Sequence, residues 1–119
     1  MGTPPLSEAE IKRRLPAWVA MSDTFLDTEL SEGSYRRIAS VIVASGISRD
    51  EAVTIYREDV VPAFAINLLS TAGEWTGWPD DYVRERVLKA RRSRVSSALL
   101  NRFFRDYTAG QWARICEHF

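Results

Sequence analysis

At three places along this chain a Ser or Thr is followed three residues on by a glutamate or glutamine beside an apolar run of helical spacing: Ser7 with Glu10, Ser48 with Glu51, and Thr108 with Gln111. This is the capping-box pattern, in which hydroxyl and acid or amide each take an orphan backbone N–H at a helix start. Apolar residues then recur at helical spacing, and no run alternates with period two between turn residues. The pattern predicts an all-α chain. The one short apolar run that resembles a strand, Val41 to Ala44, sits inside a helical stripe.

The first helix is expected to begin at Glu8 and to carry Ile11, Leu15, Trp18, Ser22 and Phe25 on one face. Within it, the ring of Pro16 meets the carbonyl of Lys12, so a kink or two short helices are expected there. A second stripe, Tyr35, Ile38, Ala39 and Ile42, ends where Gly46 can adopt a left-handed conformation. The third, Val53, Tyr56, Val60 and Phe64, runs to a break or kink at Pro62.

Residues Ser70 to Trp78 hold two glycines and no helical period, which predicts a loop. Pro79 suits the first position of the next helix, with Asp80 and Asp81 where the helix dipole favours anions. Its stripe continues through Leu88, Val95, Leu99 and Phe103, with room for a break near Ser93 to Ser97. A last helix, starting at the Thr108 box, places Trp112, Ile115, Cys116 and Phe119 on one side, and the chain is expected to end inside it.

A chain of 119 residues, 45% hydrophobic and 27% charged, has enough apolar surface for one buried core. The expectation is therefore a single compact bundle of five or six helices over residues 1–119, with residues 1–7 a flexible tail. Its core should gather Trp18, Phe25, Ile38, Ile42, Tyr56, Val60 and Phe64.

Sixteen Lys and Arg balance sixteen Asp and Glu, which removes any general electrostatic pull toward nucleic acid or membrane. The longest apolar run, Val60 to Ile66, is too short to span a bilayer, and the first residues carry no signal-peptide core. With Leu6 standing where N-myristoylation wants Ser or Thr, no membrane association is expected. The single Cys116 excludes an intrachain disulfide and a cysteine-based zinc cluster, and suits a reducing, cytoplasmic setting.

Two segments, LPAWVAMSDTFLDTEL (Leu15 to Leu30) and VVPAFAINLLSTAGEWTGW (Val60 to Trp78), carry a family resemblance. Together they resemble an uncharacterised family of small bacterial proteins with an LP-x-W, S-D-x-F-L-D-T-E-L stretch and a central N-L, A-G-E-W stretch. The resemblance reaches to about Leu88. It implies a bacterial, cytoplasmic, single-domain protein and brings no activity and no catalytic residues.

Asp23 and Asp27 lie four apart near a helix C-terminus, where neither the pairing nor the dipole favours them, and Glu29 adds a third carboxylate. Such a cluster is either structural, with Asp23 paired to an arginine of another helix, or a hard-oxygen site for a divalent cation. Glu74, Trp75 and Trp78 stand in the glycine loop, where an indole is either a partner-binding anchor or a plug between helices. Arg84, Arg86, Lys89, Arg91, Arg92 and Arg94 crowd eleven residues but spread around the helix, as a solvated face paired with the acidic first half would. Cys116 and His118, two apart on one helix, diverge by about 200° and cannot form a dyad; a buried free thiol is the ordinary outcome.

No phosphate-cradling loop, serine elbow or cofactor motif occurs, so no catalytic residue, cofactor or metal is assigned. The leading functional expectation is a small protein-interaction domain of adaptor or toxin-neutralising type, its partner another protein, with homo-oligomerisation left open. Nucleic-acid binding through Arg84, Lys89, Arg91, Arg92 and Arg94 is the first alternative. A carboxylate- or metal-dependent enzyme around Asp23 and Asp27 is the second.

Overall fold

Helices make up all the regular structure of the computed structural model, which describes residues 6–26, 30–65, 78–92 and 97–119. In chain order they are α1 (Glu8–Leu26), α2 (Glu32–Ala44), α3 (Arg49–Ile55), a π-helical turn (Tyr56–Val60), α4 (Val61–Phe64), α5 (Asp80–Arg92), α6 (Ser97–Phe103) and α7 (Arg105–Cys116). Because α3, the π turn and α4 run on without a gap, the described residues form six helical rods and no strand. This is the expected all-α bundle. None of these helices is long and apolar enough to cross a membrane.

Two of the three capping boxes start helices as expected. Ser7 Oγ accepts from the Glu10 N–H and Ser48 Oγ from the Glu51 N–H, each at 3.1 Å. Ser31 caps α2 in the same way, accepting from Ser34 N–H at 3.2 Å. At the other end of α2, Gly46 takes φ +74°, a value that strains any side chain, and the Ile47 N–H reaches back to the Ile42 carbonyl.

The third box is a misreading. Thr108 and Gln111 lie inside α7, which begins at Arg105. The Thr108 hydroxyl is buried and donates to the carbonyls of Phe104 and Arg105, while the Gln111 amide oxygen accepts from the Tyr35 hydroxyl at 2.8 Å. A back-bond within α7 has taken Thr108 away from capping, and a tertiary partner has taken Gln111. Further along, α7 stops at Cys116, so Phe119 lies beyond the helix.

The two interior prolines behave differently from the expected breaks. Helix α1 passes through Pro16 as one rod; Pro16 and Lys12 are both exposed, so solvent can satisfy the carbonyl that proline leaves. Pro62 acts one turn earlier, by widening the helix into the π turn. There the Val61 N–H bonds the Tyr56 carbonyl, five residues back. Pro62 has no N–H to continue that ladder to Arg57, and Asn101 Nδ2 from α6 donates to the Arg57 carbonyl instead, at 2.8 Å. The helix thus survives its proline because a neighbouring helix supplies the missing donor.

One buried core gathers residues from the whole bundle, including all seven expected members: Trp18, Phe25, Ile38, Ile42, Tyr56, Val60 and Phe64. An aromatic column ties it together, Phe25 stacking on Tyr56 at 5.8 Å and Tyr56 on Trp112 at 5.9 Å. Helix α5 contributes Val83 and Val87, whereas Leu99 and Phe103, expected on its continued stripe, are 66% and 70% exposed. The stripe fails because α6 is a separate helix that faces the core through the half-buried Leu100. Of the expected tail, Leu6 packs against the core and Ser7 is the α1 cap, so both belong to the fold; residues 1–5 lie outside the described residues.

Trp78 stacks on Phe64 with ring centroids 4.8 Å apart and lies 6.1 Å from the Tyr82 ring. At 9% exposure it closes the core between α4 and α5. Trp78→Ala is expected to cost about 3–5 kcal/mol of unfolding free energy, read from a urea titration; a loss below about 1 kcal/mol would contradict this packing role.

Candidate functional site

The π turn carries the most constrained polar residue of the described fold, Asp59, whose side chain is fully buried. Its Oδ2 accepts from Arg14 Nη1 and from Trp18 Nε1, both at 3.0 Å, and its Oδ1 accepts from Arg91 Nη1. Arg14 and Trp18 stand one turn apart on α1, and Arg91 comes from the last turn of α5. A buried carboxylate costs several kcal/mol unless it is both paired and hydrogen-bonded, and here both oxygens are occupied.

The network continues outward. Arg14 Nε donates to Glu10 at 2.7 Å, Glu10 also accepts from Arg13, and Arg13 forms a two-pronged pair with Glu51 at 2.7 and 2.8 Å. Burial opposes the charge on Arg14, but its bonds to Glu10 and Asp59 outweigh that and raise its pKa. On the exposed rim, the hydrogen bond from Arg13 holds the Glu51 carboxyl below its usual range. Three carboxylates and three guanidiniums thus balance along one chain of contacts. With its carboxylate fully committed, this network is architecture.

The sequence-predicted sites are dispersed. Asp23 pairs with Arg37 of α2, the structural alternative for that residue; Asp27 and Glu29 lie outside the described residues. Glu74 and Trp75 do too, and Trp78 takes the plug alternative, a core residue and not an exposed anchor. In the basic segment, Arg84 pairs with Glu8 and Glu85, and Arg91 with Asp59. Arg86 donates to the Ala63 carbonyl and lies over the Phe64 and Tyr82 rings. Lys89 and Arg92 point to solvent, and Arg94 lies outside the described residues.

Cys116 is half-buried rather than buried; burial pushes its thiol up while nearby Arg49 pulls the other way, so it lacks the lowered pKa of a reactive cysteine. His118 turns instead to Glu32, at 2.8 Å. Glu32, Glu117 and His118 bring potential ligand atoms within 4.8 Å of one another. Arg114 already pairs with Glu32 and lies 3.9 Å from Glu117, so this cluster holds a guanidinium where a metal would go.

What sequence reasoning missed is a groove of about 280 Å³ between the α3–π-turn rod and the α6–α7 pair. Its walls are apolar, with Val53 and Tyr56 on one side and Trp112, Ala109 and Ala113 on the other. The two alanines leave the space that larger side chains would fill. Arg57 and Arg105 stand on its rim, both exposed, and among the described residues neither has a carboxylate partner. The tie from Asn101 to the Arg57 carbonyl fixes the backbone that carries one of them. Burial pushes the Tyr56 hydroxyl far up, so that it stays a neutral group, 2.9 Å from the Thr24 hydroxyl. The signal for this groove was the small pair at i and i+4, Ala109 and Ala113, beside Trp112. A second hollow beside α1 is bridged by the Glu8–Arg84 pair.

A family model described as a domain of unknown function, DUF7079, matches residues 12–118. No curated protein and no solved structure matches the chain.

Two substitutions separate the central carboxylate from the peripheral one. Asp59→Asn removes the buried charge that Arg91 faces and that Arg14 shares with Glu10, and is expected to cost about 3–5 kcal/mol in chemical unfolding. Asp23 differs in sign. Burial pushes its carboxyl above the ordinary value, and Arg37, more than half exposed, offsets this only in part. A carboxyl raised in the folded state favours folding below its unfolded value of about 3.9, and that contribution is lost as pH rises through the raised value. Asp23→Asn should therefore gain stability over the parent chain as pH rises from acid to neutral. Unfolding titrations at both ends of that range check it, and a gain that shrinks toward neutral pH would contradict it.

Proposed function

The chain belongs to this family of unknown function, and from that premise we propose that it is a protein-interaction domain whose contact surface is the groove between α3 and α7. One observation carries the reading: an apolar, aromatic-walled concavity is left open at the surface by Ala109 and Ala113, on helices that the core and the Asp59 network hold rigid. A preformed concavity offers buried contact area without the entropic cost of ordering a loop. Its volume, at the lower end of ligand sites, suits one large side chain of a partner rather than a whole cofactor.

The adaptor or toxin-neutralising type expected from the sequence is compatible with such a surface. Nucleic-acid binding through the basic segment has less to draw on, because Arg84, Arg86 and Arg91 are engaged within the fold and leave Lys89 and Arg92 outward. No separate observation favours a carboxylate enzyme around Asp23, which serves Arg37.

Filling the groove tests the reading. Ala109 is exposed, so Ala109→Trp should place an indole in the concavity and leave the melting temperature within a few degrees of the parent. Panning a random dodecapeptide library against both proteins should enrich sequences that bind the parent and not the variant. Peptides that bind both equally would show that the groove is not the contact surface.

A further inference from the structure

We infer that the groove recognises an acidic peptide segment of a partner protein, with an apolar or aromatic side chain seated in the hollow beside Trp112 and flanking carboxylates on Arg57 and Arg105. The inference rests on the groove being the contact surface and adds the chemistry of what fills it. Its basis is charge. Arg13, Arg14, Arg37, Arg84, Arg91 and Arg114 each have a carboxylate partner within the fold. Arg57 and Arg105, like Arg36, Arg49, Arg92 and Arg102, have none among the described residues, and these two stand in the lining of the groove, which includes no acidic side chain.

Guanidiniums at the edge of an apolar hollow are suited to carboxylates, which they bind through paired N–H donors in a fixed plane. The walls explain why the carboxylate should stand beside something apolar. Half-buried Trp112, backed by the buried Tyr56 ring on which it stacks, gives the groove an aromatic wall, and a ring or branched aliphatic chain entering there removes apolar surface on both partners from water. A nucleic acid is the poorer fit: its backbone requires a continuous track of cations, and this groove offers two on its rim.

The test uses the full chain and three blocked pentapeptides, EDFDE, its neutral counterpart QNFNQ and the ring-less EDADE, with an oligothymidylate as the nucleic-acid probe. Binding is followed by two-dimensional amide NMR, reading the Trp112 indole N–H and the backbone amides of Thr108 and Ala109. EDFDE should shift these signals saturably, and QNFNQ and EDADE should each bind about tenfold more weakly. Arg57→Gln and Arg105→Gln, at exposed positions with no carboxylate partner among the described residues, should each weaken EDFDE by about three- to fivefold and leave QNFNQ unchanged. If EDFDE and QNFNQ bind alike, and Ala109→Trp abolishes both, the acidic preference is overturned while the groove remains the contact surface. If Ala109→Trp leaves EDFDE binding intact, the groove reading fails as well. No saturable shift with EDFDE, or tighter binding of the oligothymidylate at the same signals, also overturns the inference.

Discussion

A single buried carboxylate sets the arrangement of this bundle. Asp59 has no water to solvate it, so Arg14, Trp18 and Arg91 must reach it, and each reaches it from a fixed place on α1 or α5. Hydrophobic burial is nearly indifferent to rotation of one helix against another, but a hydrogen-bonded ion triad is not. If α1 slid by one turn, or α5 rotated by one residue, a charge would be stranded in the core. The triad therefore selects one packing among several that the apolar stripes alone would permit.

The π turn is the local device that makes this placement compatible with a continuous helix. Pro62 removes one donor from the ladder, the helix widens before it, and three successive residues, Asp59, Val60 and Val61, are buried together. The cost is an orphan carbonyl at Arg57, which Asn101 satisfies from α6. That tie links α6 to the π turn, and Trp112 of α7 stacks on Tyr56 of the same turn, so that the groove lies where the three meet. Architecture and candidate contact surface thus share one origin, a proline in the middle of a core helix.

The groove and the ion network divide the arginines by role. Those facing Asp59, Glu10 and Glu51 hold helices together and are spent within the fold, whereas Arg57 and Arg105 face outward beside an apolar hollow. A count of charges cannot make that division, because it depends on which residues meet across helices. The net charge of zero describes the whole chain and conceals a local excess at the groove.

Local chemistry legible in the sequence determined the helical class, two helix starts, the stop at Gly46 and all seven of the named core residues, because caps and stripes act within one or two turns. Asp59 was also partly legible: it stands three residues after Tyr56 and four before Ala63, inside the apolar stripe, although between charged neighbours and a proline it reads as a solvated break. Only the tertiary structure decided its three partners, the fate of Thr108 and Gln111, the burial of Trp78 and the exposure of Leu99 and Phe103. The contacts of Asp59 and Gln111 join residues far apart in the chain, from 32 positions for Asp59 and Arg91 to 76 for Tyr35 and Gln111. A side chain such as Gln111 has a local use and a distant one of similar strength, and the packing of the whole bundle determines which is made.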